Sequence, residues 1–586
     1  MPRRSASALA LVLSIGSARP ADAQTPPSRA PSGRPIVSCA GQPINDIVIY
    51  SDAPTVASLA RVPRLASIAR AFHATTRPEL IRRFLLLQRG DACSEQRRAD
   101  SERILRAQPF IAEAEAFVVA NESGGVDLEV ATSDEAAIVF GGNVRAAAPH
   151  VTSVLAGSAN VAGQGLYSAV SWKDGASFRN ALGIRIMDHQ FLGRPWTFSF
   201  EGERASLGGS WRSEAAHPFL TDLQRVGWRV RLGQANGFVE LRQPDGVRPR
   251  VALQRGFFDV GGILRVGNVG PLRLVGFSLT GLQERPGDRL TLPESGVVRD
   301  IGPVPAPFAR HRILRANALI GVRKITFARL EGLDALTAVQ DVPIGMQLGA
   351  LFGRSLPKPG LREEEDVFLA GDLYVGGTSG RMTSRLQLQA EGRRPIGSRA
   401  WDGVIATGRV TNYTRISSRH RNQLALEFSG AYRQRTPFQL LLGVPEGGVR
   451  GYEESYYAGG QRLVARTEER YVLGNVLGNV LGNVLGAADA GVAVFGDVGR
   501  QWAGDVPYGV TTAVKASLGI SLLASIPPRS ARVWRADLAF PVTGGANARW
   551  TLSFTNADRT TFVFRNARDV AVGKEVTVPT SIFAWP

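Results

Sequence analysis

Trp196-Thr197-Phe198-Ser199-Phe200-Glu201 sets three aromatic rings on one face of an extended chain and two hydroxyls and a carboxylate on the other. The alternation recurs downstream. Trp228, Val230 and Leu232 oppose Arg229 and Arg231, and Leu386, Leu388 and Ala390 oppose Gln387, Gln389 and Glu391. Leu424, Leu426, Phe428 and Tyr432 oppose Gln423, Glu427 and Ser429. Turns rich in Gly, Pro and Asp separate these stretches, so each reads as a strand with an apolar side and a wet side. A soluble β-sandwich alternates in the same way. The number of such stretches favours one closed sheet instead, an all-β transmembrane barrel of about sixteen antiparallel strands of roughly ten residues, with the remainder in loops.

The 586 residues are too many for one ordinary soluble domain and, at 44% hydrophobic and 20% charged, too apolar for a disordered chain. The formal charge of +18 is carried by arginine: Lys173, Lys324, Lys358, Lys515 and Lys574 are the five lysines among 69 basic residues. Such a bias reflects GC-rich coding or a role in meeting acidic lipid headgroups or acidic clients. No basic run interleaved with aromatics points to nucleic acid. At the start, Pro2-Arg3-Arg4, the apolar stretch Ala6 to Ile15 and Ala21-Asp22-Ala23 before Gln24 read as a secretory signal peptide over residues 1–23. A Pro/Ser-rich linker follows over 24–43. Past the signal, no stretch offers the roughly 18 uninterrupted apolar residues of a membrane helix. In an oxidising compartment Cys39 and Cys93 can form one intramolecular bridge, and no CxxC spacing suggests zinc or redox chemistry.

Residues 44–133 have a different character. Ile47 to Tyr50 is a short β-branched run, and Thr76-Arg77-Pro78-Glu79 is a capping box opening a helix through Leu87. A second helix is expected over Ser94–Arg106, then strands over Ala112–Ala120 and Val126–Thr132 about the turn at Asn121–Gly125. This order of strand, helix, helix, strand, strand, with Leu85-Leu86-Leu87-Gln88-Arg89-Gly90-Asp91 and Ser101-Glu102-Arg103-Ile104-Leu105-Arg106, resembles a POTRA domain of the BamA/TamA outer-membrane assembly superfamily. Ser51 to Phe72 reads as an insertion. The resemblance implies a small periplasmic α+β module that binds extended polypeptide at an exposed strand edge; a plain spacer is the alternative.

The barrel, taken as residues 134–565, carries further matches. Gly448-Val449-Arg450-Gly451-Tyr452 looks like the VRGY motif that this superfamily holds on a loop folded into the lumen, and Phe495-Gly496-Asp497-Val498-Gly499 looks like its FxDxG wall element. By the period of two, Phe495, Asp497 and Gly499 face inward while Val494 and Val498 face lipid. A guanidinium in the lumen needs a carboxylate, so Arg450 is expected to reach Asp497, with Gly451 allowing close approach to the wall and Tyr452 packing beside it. Arg535-Ala536-Asp537-Leu538-Ala539-Phe540-Pro541 resembles the penultimate strand of these barrels, and Glu468-Glu469-Arg470 supplies an acid-base pair on a wall strand.

Three features depart from the family pattern. Four tandem VLGN-like units run from Val472 to Ala487, read as slippage in a turn. The last strand falls at Trp550–Phe554 or Thr560–Phe564, leaving a C-terminal tail over 566–586. One POTRA unit is few for an assembly hub.

Enzymatic readings find little support. His73, His150, His189, His217, His311 and His420 lack metal-ligand spacing and read as loop, turn or surface residues. There is no GxSxG elbow, and Glu363-Glu364-Glu365-Asp366 reads as a solvated loop rather than a cation site. The expected protein is non-enzymatic, without metal or cofactor, in the outer membrane of a Gram-negative-type bacterium with its N-terminal domain in the periplasm. Its expected partners are outer-membrane lipids, unfolded outer-membrane protein clients and periplasmic or accessory proteins. It would insert or translocate client proteins; a two-partner-secretion-type polypeptide transporter or a passive pore are the alternatives.

Overall fold

The computed structural model describes residues 30–52, 75–122, 124–145, 150–173, 180–267, 270–294, 297–305, 308–357, 365–444, 447–452, 457–474, 488–544, 549–558 and 567–575. The signal peptide, most of the 51–72 insertion, the Thr560–Phe564 alternative and most of the VLGN units lie outside them.

The N-terminal unit is a four-stranded sheet in the order β2-β1-β4-β3, with β1 Ala40–Asp52, β2 Ala92–Ser94, β3 Ile111–Ala120 and β4 Val126–Asp134. β1 and β4 run parallel, β3 and β4 antiparallel. Helices α1 (Pro78–Phe84) and α2 (Glu95–Arg106) pack on it through Leu80, Ile81, Phe84, Ile104 and Leu105. Cys39 and Cys93 are bonded, tying the entry of β1 to β2. Two expectations fail in detail. The capping box does not form: Arg77 is the N-cap residue without a side-chain bond, because Thr76 gives its N–H to Asp134 (2.6 Å) and its hydroxyl accepts from Asn160 (2.8 Å). The helix also stops at Phe84 rather than Leu87, since the extended Leu85 and the buried Leu87 turn into the core.

A third difference bears on function. The outward carbonyls of the β3 edge, Ala114, Ala116 and Val118, accept bonds from Arg106 (3.0 Å), Arg98 (2.6 Å) and the Val37 N–H (2.9 Å). An edge whose acceptors are already filled cannot pair a client strand there.

From Ile138 to Asp558 the chain forms a closed antiparallel barrel. Among the described residues twenty-one strands enter it, not about sixteen; Val297–Pro303 only extends one end of Leu272–Glu294, which pairs directly with His311–Glu331. The surplus comes from the short strands of 8–10 residues between Ile138 and His217 other than Thr197–Ala205, where Gly, Ala and Ser dilute the alternation that marks later strands. Beyond them the wall is taller, with Leu272–Glu294 reaching 23 residues. Its packing is inverted relative to a soluble protein. Leu424, Leu426 and Phe428, and Leu518, Ile520 and Leu522, are exposed on the outside, whereas Ser517, Ser521 and Asp497 are buried toward the lumen. An apolar exterior and a polar interior are what a sheet in lipid requires. No helix among the described residues is long and apolar enough to cross a membrane.

The N-terminal unit is clamped to strand ends and turns at one end of the barrel. Arg106 makes a bidentate pair with Asp341 (2.8 Å to each oxygen), Arg329 reaches Glu102 (2.9 Å) and Arg529 reaches Glu113 (2.9 Å). Arg103 lies over the Phe327 ring at 4.3 Å, and Asp100 accepts from Thr221 at 2.6 Å. Residues 567–575 of the tail lie inside the lumen, with helix α3 at Arg568–Gly573.

Asp134, at the junction, is buried, and burial pushes its carboxyl up to about 6 despite the Thr76 N–H. A raised acid pKa stabilises the fold below the ordinary carboxyl pKa, and that contribution is lost as pH rises through about 6. We expect the N-terminal unit to lose about 1–3 kcal/mol between pH 4 and pH 7 through this group. Asp134→Asn should flatten the dependence, as read by hydrogen exchange of the β4 amides at the two pH values.

Candidate functional site in the barrel lumen

The segment between wall strands His420–Tyr432 and Gln461–Gly474 turns back into the barrel. Its arms pair as a minimal ladder, Leu440–Leu441 with Ala458–Gly459. Phe438, Leu440 and Val444 bury against the wall residues Ile405 and Ala431, so an apolar anchor holds the loop inside. At its tip Val449 and Tyr452 are fully buried with Leu442 and Val464.

Between them stands Arg450. Its Nε is 2.8 Å from Asp497 Oδ2 and its Nη2 is 2.7 Å from Oδ1, while its backbone N–H donates to Oδ2 at 3.1 Å. The guanidinium lies 3.3 Å from the centroid of the Phe495 ring, so one inward face of strand Asp489–Trp502 supplies both anion and π surface. Asp497 is 0% exposed, whereas Val494 and Val498 on the other face are 60% and 46% exposed. Close approach needs the two glycines. Gly451 has φ +87° and presses on Pro541, and a Cβ at Gly499 would lie 2.5 Å from Val449 Cγ2. Tyr452 donates its hydroxyl to Thr543, whose Oγ1 is 2.9 Å away and accepts from the Ala516 N–H at 2.8 Å.

The grip extends across the wall. Arg450 Nη1 stands 3.9 Å from Glu468 and 3.7 Å from Asp537. Glu468 is held by Arg535 (2.6 Å) and Arg470 (2.9 Å), and Arg535 also bonds Asp537 (2.6 Å) and Ser521 (2.8 Å). Three guanidiniums face three carboxylates, so the cluster is neutral. Every acid in it accepts from an arginine, which suits it to hold a loop against a wall rather than to move protons.

The residues singled out from sequence therefore meet at one place, except for Cys39 and Cys93, which staple the N-terminal sheet away from the lumen. Two readings need correction. His311 is buried beside Arg393 in the lumen, not on a surface or loop, because it begins a wall strand with its side chain inward. Asp366 likewise opens a wall strand and pairs with buried Arg315 at 2.8 Å, so the last acid of the run is lumenal, while Glu365 stays partly exposed beside Arg354 and Glu363 and Glu364 lie outside the described residues. Asp569 and Glu575 of the tail carried no signal in the sequence, since nothing local marks a carboxylate whose partners lie on distant strands. Among the described residues, no cluster of His, Cys, Asp and Glu could hold a metal ion.

No protein-family model and no curated protein sequence matches this chain. Solved structures do. The chain is similar to BamA from Haemophilus ducreyi lacking POTRA domains 1–3, at 12% identity and TM-score 0.36 over 88% of this chain and 84% of that one. It is similar to CdiB from Escherichia coli at 11% identity and TM-score 0.40, over 92% of this chain and 93% of that one. For CdiB from Acinetobacter baumannii the values are 11% and 0.40, over 88% and 73%.

Breaking a buried ion pair from one side leaves an uncompensated charge and costs about 3–5 kcal/mol. We expect Arg450→Ala and Asp497→Ala each to lose stability in that range and the double variant to lose less than their sum. Unfolding of the detergent-solubilised barrel, followed by its heat-dependent gel mobility, measures the coupling.

Proposed function

We propose that this chain is an outer-membrane barrel of the BamA/TamA kind that inserts or translocates client polypeptides, with a POTRA-like N-terminal unit in the periplasm. The observation that carries the reading is the bidentate grip of Arg450 on Asp497 over the Phe495 ring. It joins the loop and wall motifs that resemble the superfamily, in a barrel whose outside is apolar and whose inside is charged.

The physical task is clear. A client strand entering lipid must have its backbone groups paired, because each unsatisfied group costs several kcal/mol there. A barrel able to expose a strand edge or an internal surface lends those partners during insertion. Arg450, Glu468, Asp497, Arg535 and Asp537 fix the inner loop so that the wall keeps its shape while another part of it moves. Lipids around the apolar belt, unfolded outer-membrane clients and accessory proteins at the N-terminal unit are the partners this role needs. The chemistry is binding and templating, not catalysis.

A specific observation favours a second reading, passage of a polypeptide through the lumen. The filled β3 edge withdraws the docking ladder expected of the N-terminal unit, while the clamped unit stands at the mouth of the barrel.

The discriminating measurement is the folding rate of an unfolded outer-membrane protein into liposomes holding this chain, beside empty liposomes and liposomes with correctly folded Arg450→Ala. Insertion activity predicts acceleration that the substitution removes. Equal rates in all three, across several clients, would falsify it and leave transport through the lumen.

A further inference from the structure

A barrel of this many strands encloses more space than its wall side chains can fill; sixteen to eighteen strands already leave an aqueous channel. The inner loop occupies part of that space. A second segment, Ala567–Glu575, crosses the rest. Near its start Asp569 pairs with Arg462 on strand Gln461–Gly474 at 2.6 Å and accepts from the Leu441 N–H of the inner loop at 2.9 Å. Val570 is buried with Phe438, Leu440 and Ile405. The Val572 carbonyl accepts from Arg255 at 3.0 Å. At its far end Lys574 donates to Gln389 at 2.5 Å, the Glu575 N–H donates to Glu391 at 2.7 Å, and the Glu575 carboxylate is 2.7 Å from Arg315. Arg255, Arg315, Gln389 and Arg462 stand on strands distributed over nearly half of the wall, from Arg250–Val266 round to Gln461–Gly474, so the segment reaches across the lumen instead of following one strand.

The wall is built to receive it. Arg462 and Arg315 are 2% and 0% exposed, and buried guanidiniums need anions. The segment gives Arg462 a carboxylate and gives Arg315, already paired with Asp366 on the wall, a second one that also stands 3.7 Å from Arg393; the two acids are six residues apart, with the small apolar run Val570-Ala571-Val572-Gly573 between. At Gly573 a Cβ would lie 2.5 Å from the Phe438 ring, so the track admits only a slender chain there.

We propose that the lumen carries a binding track for a short peptide with two carboxylates six residues apart, that the chain's own residues 567–575 occupy it as an internal plug, and that vacating it opens the barrel. The wall arginines that hold the plug are those that an acidic stretch of a passing polypeptide meets, so release of the plug and engagement of such a stretch are exchanges at the same guanidiniums. This rests on the barrel being embedded in a membrane, and the test separates the two.

The experiment is single-channel conductance of the full chain in planar lipid bilayers, beside the full chain carrying Asp569→Arg and Glu575→Arg, both checked for heat-dependent mobility as folded barrels. The expected result is a severalfold rise in conductance for the variant. A synthetic peptide of residues 567–575 should lower it again, and a scrambled peptide should not. A folded, inserted variant that conducts like the wild type, or that ignores the peptide, overturns the plug; a wild-type chain that never enters the bilayer overturns the membrane reading and the plug with it. Should the charge reversals prevent folding, Gly447→Cys with Ala567→Cys ties the segment to the inner loop, because a Cβ at Gly447 lies 2.8 Å from that of Ala567. The cross-linked barrel should lose the brief openings of the wild type and regain them on reduction. Openings that persist with the cross-link intact overturn the proposal.

Discussion

A guanidinium packed against the lumenal wall, as Arg315 and Arg462 are, cannot discharge and is buried from water, so the structure must bring an anion to it. In an arginine-rich chain whose strands alternate, arginines at the polar positions, such as Arg229, Arg315 and Arg323, are buried toward the lumen. That requirement organises the interior. Arg450 brings the inner loop to Asp497, Arg535 and Arg470 gather around Glu468, and Arg462 and Arg315 draw the tail across the lumen. Exposed pairs on the rim, such as Arg289 with Asp300, share the same chemistry with far smaller consequence, because water screens them. The buried pairs therefore determine where the internal segments lie, and the apolar anchors of Phe438 and Val570 fix how deep.

The same logic joins the N-terminal unit to the barrel. α2 presents Glu102, Arg103 and Arg106 to strand ends and turns of the wall, and Arg106 at once pairs with Asp341, pairs with Glu102 and fills the Ala114 carbonyl of β3. One side chain thus clamps the unit in place and closes its sheet edge. A free edge would invite pairing with any extended chain. With that edge filled, an added strand on the N-terminal sheet has no place along β3.

Much of this was legible along the chain. The faces of Leu424–Tyr432 and of Phe495–Gly499 followed from a period of two, because lipid outside and water inside impose opposite demands on neighbouring residues. The pairing of Arg450 with Asp497 followed from the need of a lumenal guanidinium for a carboxylate, once the two motifs were placed on loop and wall. The strand number did not follow, since between Ile138 and His217, apart from the stretch at Trp196–Glu201, Gly, Ala and Ser satisfy either environment and blur the alternation. The capping box failed because Thr76 had a stronger use against Asp134 and Asn160, residues remote in sequence.

Sequence by itself therefore determined the class of fold, the inward and outward faces, and the residues of the loop-to-wall grip, all properties that depend on local period or on short motifs. Tertiary structure alone decided that β3 has a filled edge, that Asp366 and His311 belong to the lumen, and that the tail returns to meet Arg462 and Arg315. The reason is physical. A charge announces its need for a partner wherever it stands in the sequence, but which partner answers depends on the closure of the barrel, which brings residues hundreds of positions apart within hydrogen-bonding distance.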